Sequence, residues 1–187
     1  NAYGEEERDL LMTIASSAAI ALENARLYQS ARELSLTDDL TGLGNYRYFC
    51  DLLDKEIERA TRHDTPLTLV MLDSDRLKYI NDKHGHAIGD MHLIHLADTM
   101  RKVARKSDIL ARYAGDEFMI ILPNTTRAEG LVLAERLRAE MERSPLTVDG
   151  TPVTATISLG VASMPESGQS VDALVRAVDA AMYEAKR

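Results

Sequence analysis

Ala114-Gly115-Asp116-Glu117-Phe118 joins two apolar runs, Asp108–Tyr113 and Phe118–Leu122. A Gly-Asp pair between such runs is a strong local signal for a β-hairpin. The turn also carries two adjacent carboxylates. Hard carboxylate oxygens on a tight turn, with little bulk beside them, suit a magnesium–triphosphate site. A plain solvated turn has the same letters, so the hairpin alone does not choose between the two readings.

Working outward, Leu67-Thr68-Leu69-Val70-Met71-Leu72 predicts a short buried strand. Asp73 and Asp75 then lie just past its end, where ligand sites of sheet proteins often form. If this strand pairs with the hairpin strands, Asp73 comes beside Asp116 and Glu117, and three carboxylates converge. Such a cluster repels itself unless a divalent cation sits within it. Two-metal phosphoryl transfer uses a cage of this kind: one ion lowers the pKa of the attacking hydroxyl and the other steadies the leaving pyrophosphate. The bland alternative is that Asp73 and Asp75 merely terminate a strand. Lys78, Asn81, Asp82, Gly85, His86, Gly89 and Asp90 fill the following loop and helix start. An amide and a carboxylate together can read guanine, the amide meeting O6 and N7 and the carboxylate accepting from N1 and N2. Gly85 and Gly89 would let backbone amides approach phosphates.

The other elements follow from periodicity and caps. Residues Glu5 to about Leu34 read as one long helix, with Leu11, Ala15, Ala18, Leu22 and Ala25 at the spacing of a coiled-coil seam. An intermolecular helix is favoured over one packed on its own domain. Ser35–Asn45 is a polar, glycine-containing connector. Tyr46–His63 is helical, with Phe49, Leu52, Leu53, Ile57 and Ala60 on one face, and a second helix runs from about Ala87 to Ala104. Thr126 and Glu129 form a capping box that opens a helix to about Arg143. Val153, Ala155, Ile157, Leu159 and Val161 alternate with Thr154, Thr156, Ser158 and Gly160, the pattern of a half-buried strand. Ser170 caps the last helix, which runs to the chain end. Interleaved strands and helices with one internal hairpin give helices packed on a sheet.

Composition excludes several classes. The 187 residues are 45% hydrophobic, enough for a core. A net charge of −8 argues against binding long nucleic acids, which is driven by counterion release onto basic surfaces. The single cysteine, Cys50, rules out an intramolecular disulfide and multi-cysteine metal sites and fits core packing. The apolar stretch Ile14–Leu22 is too short to span a bilayer, so no membrane contact is expected of this segment and a cytoplasmic setting is the expectation. His92 and His95, three apart on a helix, could share a metal but lack an evident third ligand, so packing or surface roles are expected. His86 reads as a structural hydrogen-bond partner.

Six ordered motifs resemble the diguanylate cyclase (GGDEF domain) family: Asp38-Asp39-Leu40-Thr41-Gly42-Leu43-Gly44-Asn45, Asp73 to Asp82, Gly85 to Asp90, Arg112 to Phe118, Ile157 to Ala162 and Ala181 to Lys186. The resemblance covers about four-fifths of the chain, so residues 36–187 are assigned to that domain and residues 1–35 to a linker and signalling helix. It implies an α+β, palm-like cyclase fold: a central, mostly antiparallel sheet flanked by helices. It also implies condensation of two GTP into cyclic di-GMP and two pyrophosphates by two facing half-sites, each with two Mg²⁺, or Mn²⁺ in their place. By resemblance, Asp73 and Asp116 bind metal through carboxylates and Ser74 through its carbonyl. Glu117 adds a metal-site carboxylate and helps deprotonate the 3′-hydroxyl. Asn81 and Asp90 bind guanine, Gly115, Leu77 and Lys78 line the phosphate site, and Lys186 contacts the terminal phosphates. The retained Asp90 favours the all-guanine product over mixed dinucleotides.

Arg105-Lys106-Ser107-Asp108 matches the family's RxxD inhibitory motif, with Arg136 where a second domain's arginine completes a product site. The alternative is a surface Arg105–Asp108 ion pair. The stretch Ala18 to Tyr28 resembles the closing helix of a GAF sensor domain, which implies a homodimer through the N-terminal helix. Two departures stand out. Ala114 replaces the usual glycine, a costly change if that residue needs positive φ. A silent receptor for cyclic di-GMP or GTP is therefore the alternative to an active enzyme. The sequence also stops before the family's Gly-Arg-Asn segment, so a phosphate-binding arginine expected there is missing and substrate affinity is expected to fall.

Overall fold

The computed structural model of the chain describes residues 4–34, 36–148, 150–153 and 155–187. It divides into two units, Asn1–Ser35 and Leu36–Arg187. In the first, α1 (Glu5–Leu34) is one unbroken helix, as the absence of glycine and proline predicts. Its apolar Leu10, Leu11, Met12, Ile14, Ile20 and Leu22 are all exposed. The side chain of Ala25, in the expected seam, and those of Leu27 and Tyr28 lie outside the described residues.

In the second unit the order is α2 (Tyr46–His63), β1 (Leu67–Ser74), α3 (Leu77–His84), α4 (His86–Val103), β2 (Ile109–Ala114), β3 (Glu117–Pro123), α5 (Arg127–Arg143), β4 (Leu146–Val148), β5 (Thr151–Val153), β6 (Ile157–Met164) and α6 (Val171–Ala185). The main sheet runs β2–β3–β1–β6, with every pair antiparallel, and β4–β5 form a separate small hairpin. The fold is thus α+β, as the resemblance implied.

Period-two alternation sends side chains to two cores. Leu67, Leu69 and Met71 of β1, with Met119 and Ile121 of β3, pack against Phe49, Leu53 and Ile57 of α2 and Val178 and Met182 of α6. Half-buried Cys50 packs against this same core. Val70 and Leu72, with Phe118, Ile120 and Leu122, pack against Leu93, Leu96 and Met100 of α4 and Leu133 and Leu137 of α5. A sheet covered on both faces explains the continuous burial of β1.

Caps set the helix ends. The Asn45 side chain accepts from Tyr48 N at the start of α2, and Asp64 closes it in the left-handed conformation. The Thr126–Glu129 capping box and the Ser170 cap both form.

Three expectations are corrected. The strand expected over Val153–Val161 is divided: Val153 ends β5, β6 begins at Ile157, and Thr154 lies outside the described residues. β6 is not half-buried, because its small residues lie under α6. A Cβ on Gly160 would stand 2.3 Å from the Val178 carbonyl and 2.4 Å from Met182 N. The segment after Asp75, expected as a loop, contains the helix α3, which Gly85 (φ 86°) separates from α4.

Candidate active site

β1 continues through Ser74, so Asp73 lies within the strand rather than beyond it, opposite Glu117 of β3 and Ser158 of β6. Directly opposed residues of paired strands share a face, so Asp73 and Glu117 both point to the α6 side. Asp116 sits in the two-residue turn between β2 and β3, and its carbonyl accepts from Ser74 N at 3.2 Å. The sheet register, not local sequence, therefore assembles these groups.

Gly115 takes φ +51° and bears the turn's left-handed conformation. Ala114 is an exposed strand residue outside that region, so its methyl group meets no conformational penalty. The pairing of β2 with β3 shifts between Arg112 and Ala114, a bulge at Tyr113. The Tyr113 ring fills the space beside it, edge-on to Tyr46 and Phe49 at 5.0 and 5.5 Å. Arg112 braces the turn: Nε donates to the Gly115 carbonyl at 2.8 Å and the guanidinium pairs with Asp38 at 3.2 Å. Asp38 accepts from Thr41 N and Oγ1 at 2.8 and 2.7 Å. Desolvation opposes its charge, but the Thr41 hydrogen bonds and Arg112 outweigh it and hold the carboxyl below its usual range. The sequence reading gave Asp38 and Arg112 no role. The Asp-x-x-Thr turn spacing is the one signal that pointed to the first.

Asp73 is only 7% exposed. Burial raises its carboxyl, Lys186 opposes that, and Asp116 adds to it. Glu117 is raised by burial and then by Asp73 and Asp116. Lys186, the residue capping the end of α6, places Nζ 2.7 Å from Asp73 Oδ2. Partial burial works against its ammonium charge, but the bond to Asp73 and the charges of Asp73, Asp116 and Asp75 hold it above the usual lysine range. The three carboxylates feel one another, yet among the described residues no three such side chains close around one ion-sized point. The donor set still fits a divalent cation. Mg²⁺ is commonly held by one or two carboxylates and completed by substrate phosphates, and a lysine ammonium already balances Asp73.

Asp75, whose charge acts on both Asp73 and Lys186, is pinned beside this cluster. Its carboxylate accepts from Thr156 Oγ1 at 2.7 Å and Ser158 Oγ at 2.8 Å, and its N–H donates to the Thr156 carbonyl at 2.9 Å. The sequence reading missed this anchor. Arg76, at φ 69°, then swings the chain into α3, whose first residues are Leu77 and Lys78. These two therefore stand at a helix N-terminus, where free N–H groups favour anions.

Asn81 of α3 faces α4. Its Oδ1 is buried without a partner and packs on Gly89, where a Cβ would stand 1.8 Å away. That leaves the amide nitrogen as the end available to a ligand. Asp90 follows Gly89 and is exposed. His86 opens α4 at an exposed position, and among the described residues its ring makes no hydrogen bond. His92 and His95 do not share a ligand site: His92 Nε2 lies 2.7 Å from Ser74 Oγ, and His95 Nε2 donates to the Ser144 carbonyl at 2.6 Å. Burial, then the neighbouring His95, push His92 down to about 4.

On another part of the domain, Arg105, Asp108 and Arg136 line one depression of about 50 Å³ with Leu122, Glu129 and Leu133. The Asp108 carboxylate accepts from the Arg105 backbone N–H at 2.7 Å, and Arg136 donates to the Val103 carbonyl. Among the described residues the Arg105 guanidinium makes no ion pair with Asp108, so this is not a closed surface salt bridge. Arg136 lines the depression from within the same domain.

Among the described residues no helix is long and apolar enough to cross a membrane. The family model "Diguanylate cyclase, GGDEF domain" matches residues 35–187. The chain is 35% identical over 188 residues to Diguanylate cyclase A of Treponema denticola, covering 99% of this chain and 50% of that protein. It is 40% identical over 156 residues to the response regulator PleD of Caulobacter vibrioides, covering 82% and 34%. The chain thus spans about half or less of the length of these curated relatives. Among solved structures, the GGDEF domain of PA1120 (TpbB or YfiN) from Pseudomonas aeruginosa aligns with a TM-score of 0.77 at 38% identity, covering 81% of this chain and 88% of that one. The coiled coil and GGDEF domain of DgcB from Caulobacter crescentus, in complex with c-di-GMP, aligns with a TM-score of 0.76 at 30% identity, covering 95% and 94%. With an antiparallel sheet that sets Asp73 against Glu117 beside a glycine-bearing acidic turn, and a family match across the whole second unit, the chain belongs to the diguanylate cyclase GGDEF domain family.

Proposed function

We propose that this chain is an active diguanylate cyclase that condenses two GTP into cyclic di-GMP and two pyrophosphates between two facing half-sites. The observation that carries the reading is the register pair Asp73–Glu117 beside Asp116, on a turn whose left-handed residue is Gly115 and not Ala114. An ordinary backbone at Ala114 supports this reading over the silent-receptor alternative.

Asp73, Asp116 and the Ser74 carbonyl would hold Mg²⁺, with Glu117 beside them. When bound, the metal lowers the pKa of the attacking hydroxyl and neutralises charge on the leaving pyrophosphate. Glu117, with its raised carboxyl, accepts the proton of the 3′-hydroxyl. The new 3′-oxygen–phosphorus bond forms on the α-phosphorus of the facing GTP as the bond to pyrophosphate breaks. Asn81 donates from its amide nitrogen to guanine O6 and N7, and Asp90 accepts from N1 and N2. The N-terminus of α3 at Leu77 and Lys78, with Gly115, receives phosphates, and Lys186 moves from Asp73 to the terminal phosphate. Arg105, Asp108 and Arg136 form a product-inhibition site, and α1 brings two chains together through its exposed apolar residues.

The test is pyrophosphate release with product identification, using GTP and Mg²⁺ after bound cyclic di-GMP is stripped. Cyclic di-GMP from the parent, but not from Asp116→Ala/Glu117→Ala, supports the enzyme. No product from the stripped protein, with added cyclic di-GMP still binding, assigns a receptor instead.

A further inference from the structure

Behind the metal-facing end of β1, two buried polar side chains meet. Ser74 is 2% exposed and His92 1% exposed, and Ser74 Oγ lies 2.7 Å from His92 Nε2. The other ring nitrogen, Nδ1, is buried without a partner. A neutral ring that donates from Nε2 to Ser74 Oγ leaves a bare lone pair orphaned, which is easier to bury than an orphaned N–H. Burying an imidazole with one nitrogen unsatisfied is a poor route to stability, since an apolar pair would fill the same place without that penalty.

What the pair does supply is direction. Alternation sends the Ser74 side chain to the α4 face while Asp73 points to the α6 face, so Ser74 can offer a ligand only its backbone. Asp73 is held in the ladder between Glu117 and Ser158, and Asp75 is pinned by Thr156 and Ser158. Ser74 N–H is tied to the Asp116 carbonyl, and the Ser74 hydroxyl is the side-chain tether from this end of the strand to α4, which it meets only two residues beyond Asp90.

We propose that His92 is a positioning residue that, through Ser74 Oγ, fixes the metal-facing end of β1 against the guanine-facing start of α4. The inference rests on the reading of the Ser74 carbonyl as a metal ligand. Outer-shell partners of this kind change metal affinity by about 10–100-fold when removed.

The test uses Mn²⁺ as a paramagnetic probe, titrated by electron paramagnetic resonance in the presence of a non-hydrolysable GTP analogue, alongside thermal melting. His92→Leu is expected to weaken Mn²⁺ binding about 10-fold. His92→Gln, whose amide nitrogen stands where Nε2 does, keeps near-parental affinity. Ser74→Ala/His92→Leu removes both polar groups, so its melting temperature recovers while its Mn²⁺ affinity stays weak. The inference is overturned if the double variant recovers both quantities together, if His92→Gln binds as weakly as His92→Leu, or if no variant changes affinity. Absence of Mn²⁺ binding by the parent chain overturns the reading of the site along with it.

Discussion

Gly89→Ala separates the guanine contact from fold stability. In the native packing a Cβ at residue 89 would stand 1.8 Å from Asn81 Oδ1 and 2.9 Å from its Cγ, whereas ordinary contact begins near 3.4 Å. The amide must therefore retreat by about 1.6 Å, several times the width of the 2.7–3.2 Å window in which an N–H···O bond survives. The methyl group itself favours helix, since alanine exceeds glycine by about 1 kcal/mol in a helix interior. Stability should consequently change little, while affinity for GTP falls about 10-fold, the loss of roughly 1.4 kcal/mol expected when one hydrogen bond to a desolvated base is broken. Calorimetric titration with a non-hydrolysable GTP analogue reads the loss, and its 7-deaza counterpart, which lacks the N7 acceptor, assigns it. The parent should prefer the natural base, and Gly89→Ala should lose that preference. A variant that binds GTP as tightly as the parent, or that retains the full preference for N7, refutes the role given to Asn81.

Gly160→Ala should unfold the domain or lower its stability by more than about 3 kcal/mol, because the atoms it would strike are helix backbone rather than a movable side chain; a melting curve like the parent's would contradict the packing of β6 under α6. His92 is held near 4 in the fold against about 6.5 when unfolded, so the unfolded chain binds the extra proton between those values. Its contribution to stability is present above pH 6.5 and is lost as pH falls towards 4, by roughly 3 kcal/mol in all. Urea unfolding of chelator-treated protein across that range should show the slope, and His92→Gln should flatten it. Lys186→Met should strengthen nucleotide-free Mn²⁺ binding, because a competing cation leaves Asp73, and should weaken binding of the triphosphate; a parallel fall in both would speak against an exchange of partners at Asp73.

The sequence was most readable where local rules and packing agreed. Helix α2 runs over Tyr46–His63 as expected because its apolar stripe, its Asn45 cap and its left-handed Asp64 all mark the same limits. The capping box gave the start of α5 for the same reason. Helix α3 was missed because it is eight residues long, largely polar, and opens on Arg76 without a side-chain cap. The β4–β5 hairpin escaped because three-residue strands leave no periodicity to read. In the Ile157–Met164 segment, Ser158 and Gly160 look like a solvated face, yet they are small because a helix lies on them. The site divides in the same way. Its acidic residues were visible as letters, but the opposition of Asp73 to Glu117 is a property of register, and the tethers Asp38–Arg112, Asp75–Ser158 and Ser74–His92 join residues 18 to 83 positions apart.

Around Gly115 a Cβ would meet no atom within 4 Å, although φ there is +51°. Among the chain's own atoms the constraint at this position is therefore torsional, and the phosphates proposed to dock at Gly115 would add a spatial one. Of the two small residues that open the acidic turn, only the second is held to glycine, and it is held by a dihedral angle that asparagine or aspartate can also adopt. Gly115→Asn would then leave the sheet intact and set a carboxamide next to the carboxylates. The hairpin's tolerance of mutation is in this sense asymmetric: the residue at 114 is open to side chains of many shapes, and the residue at 115 to the few whose backbones turn left.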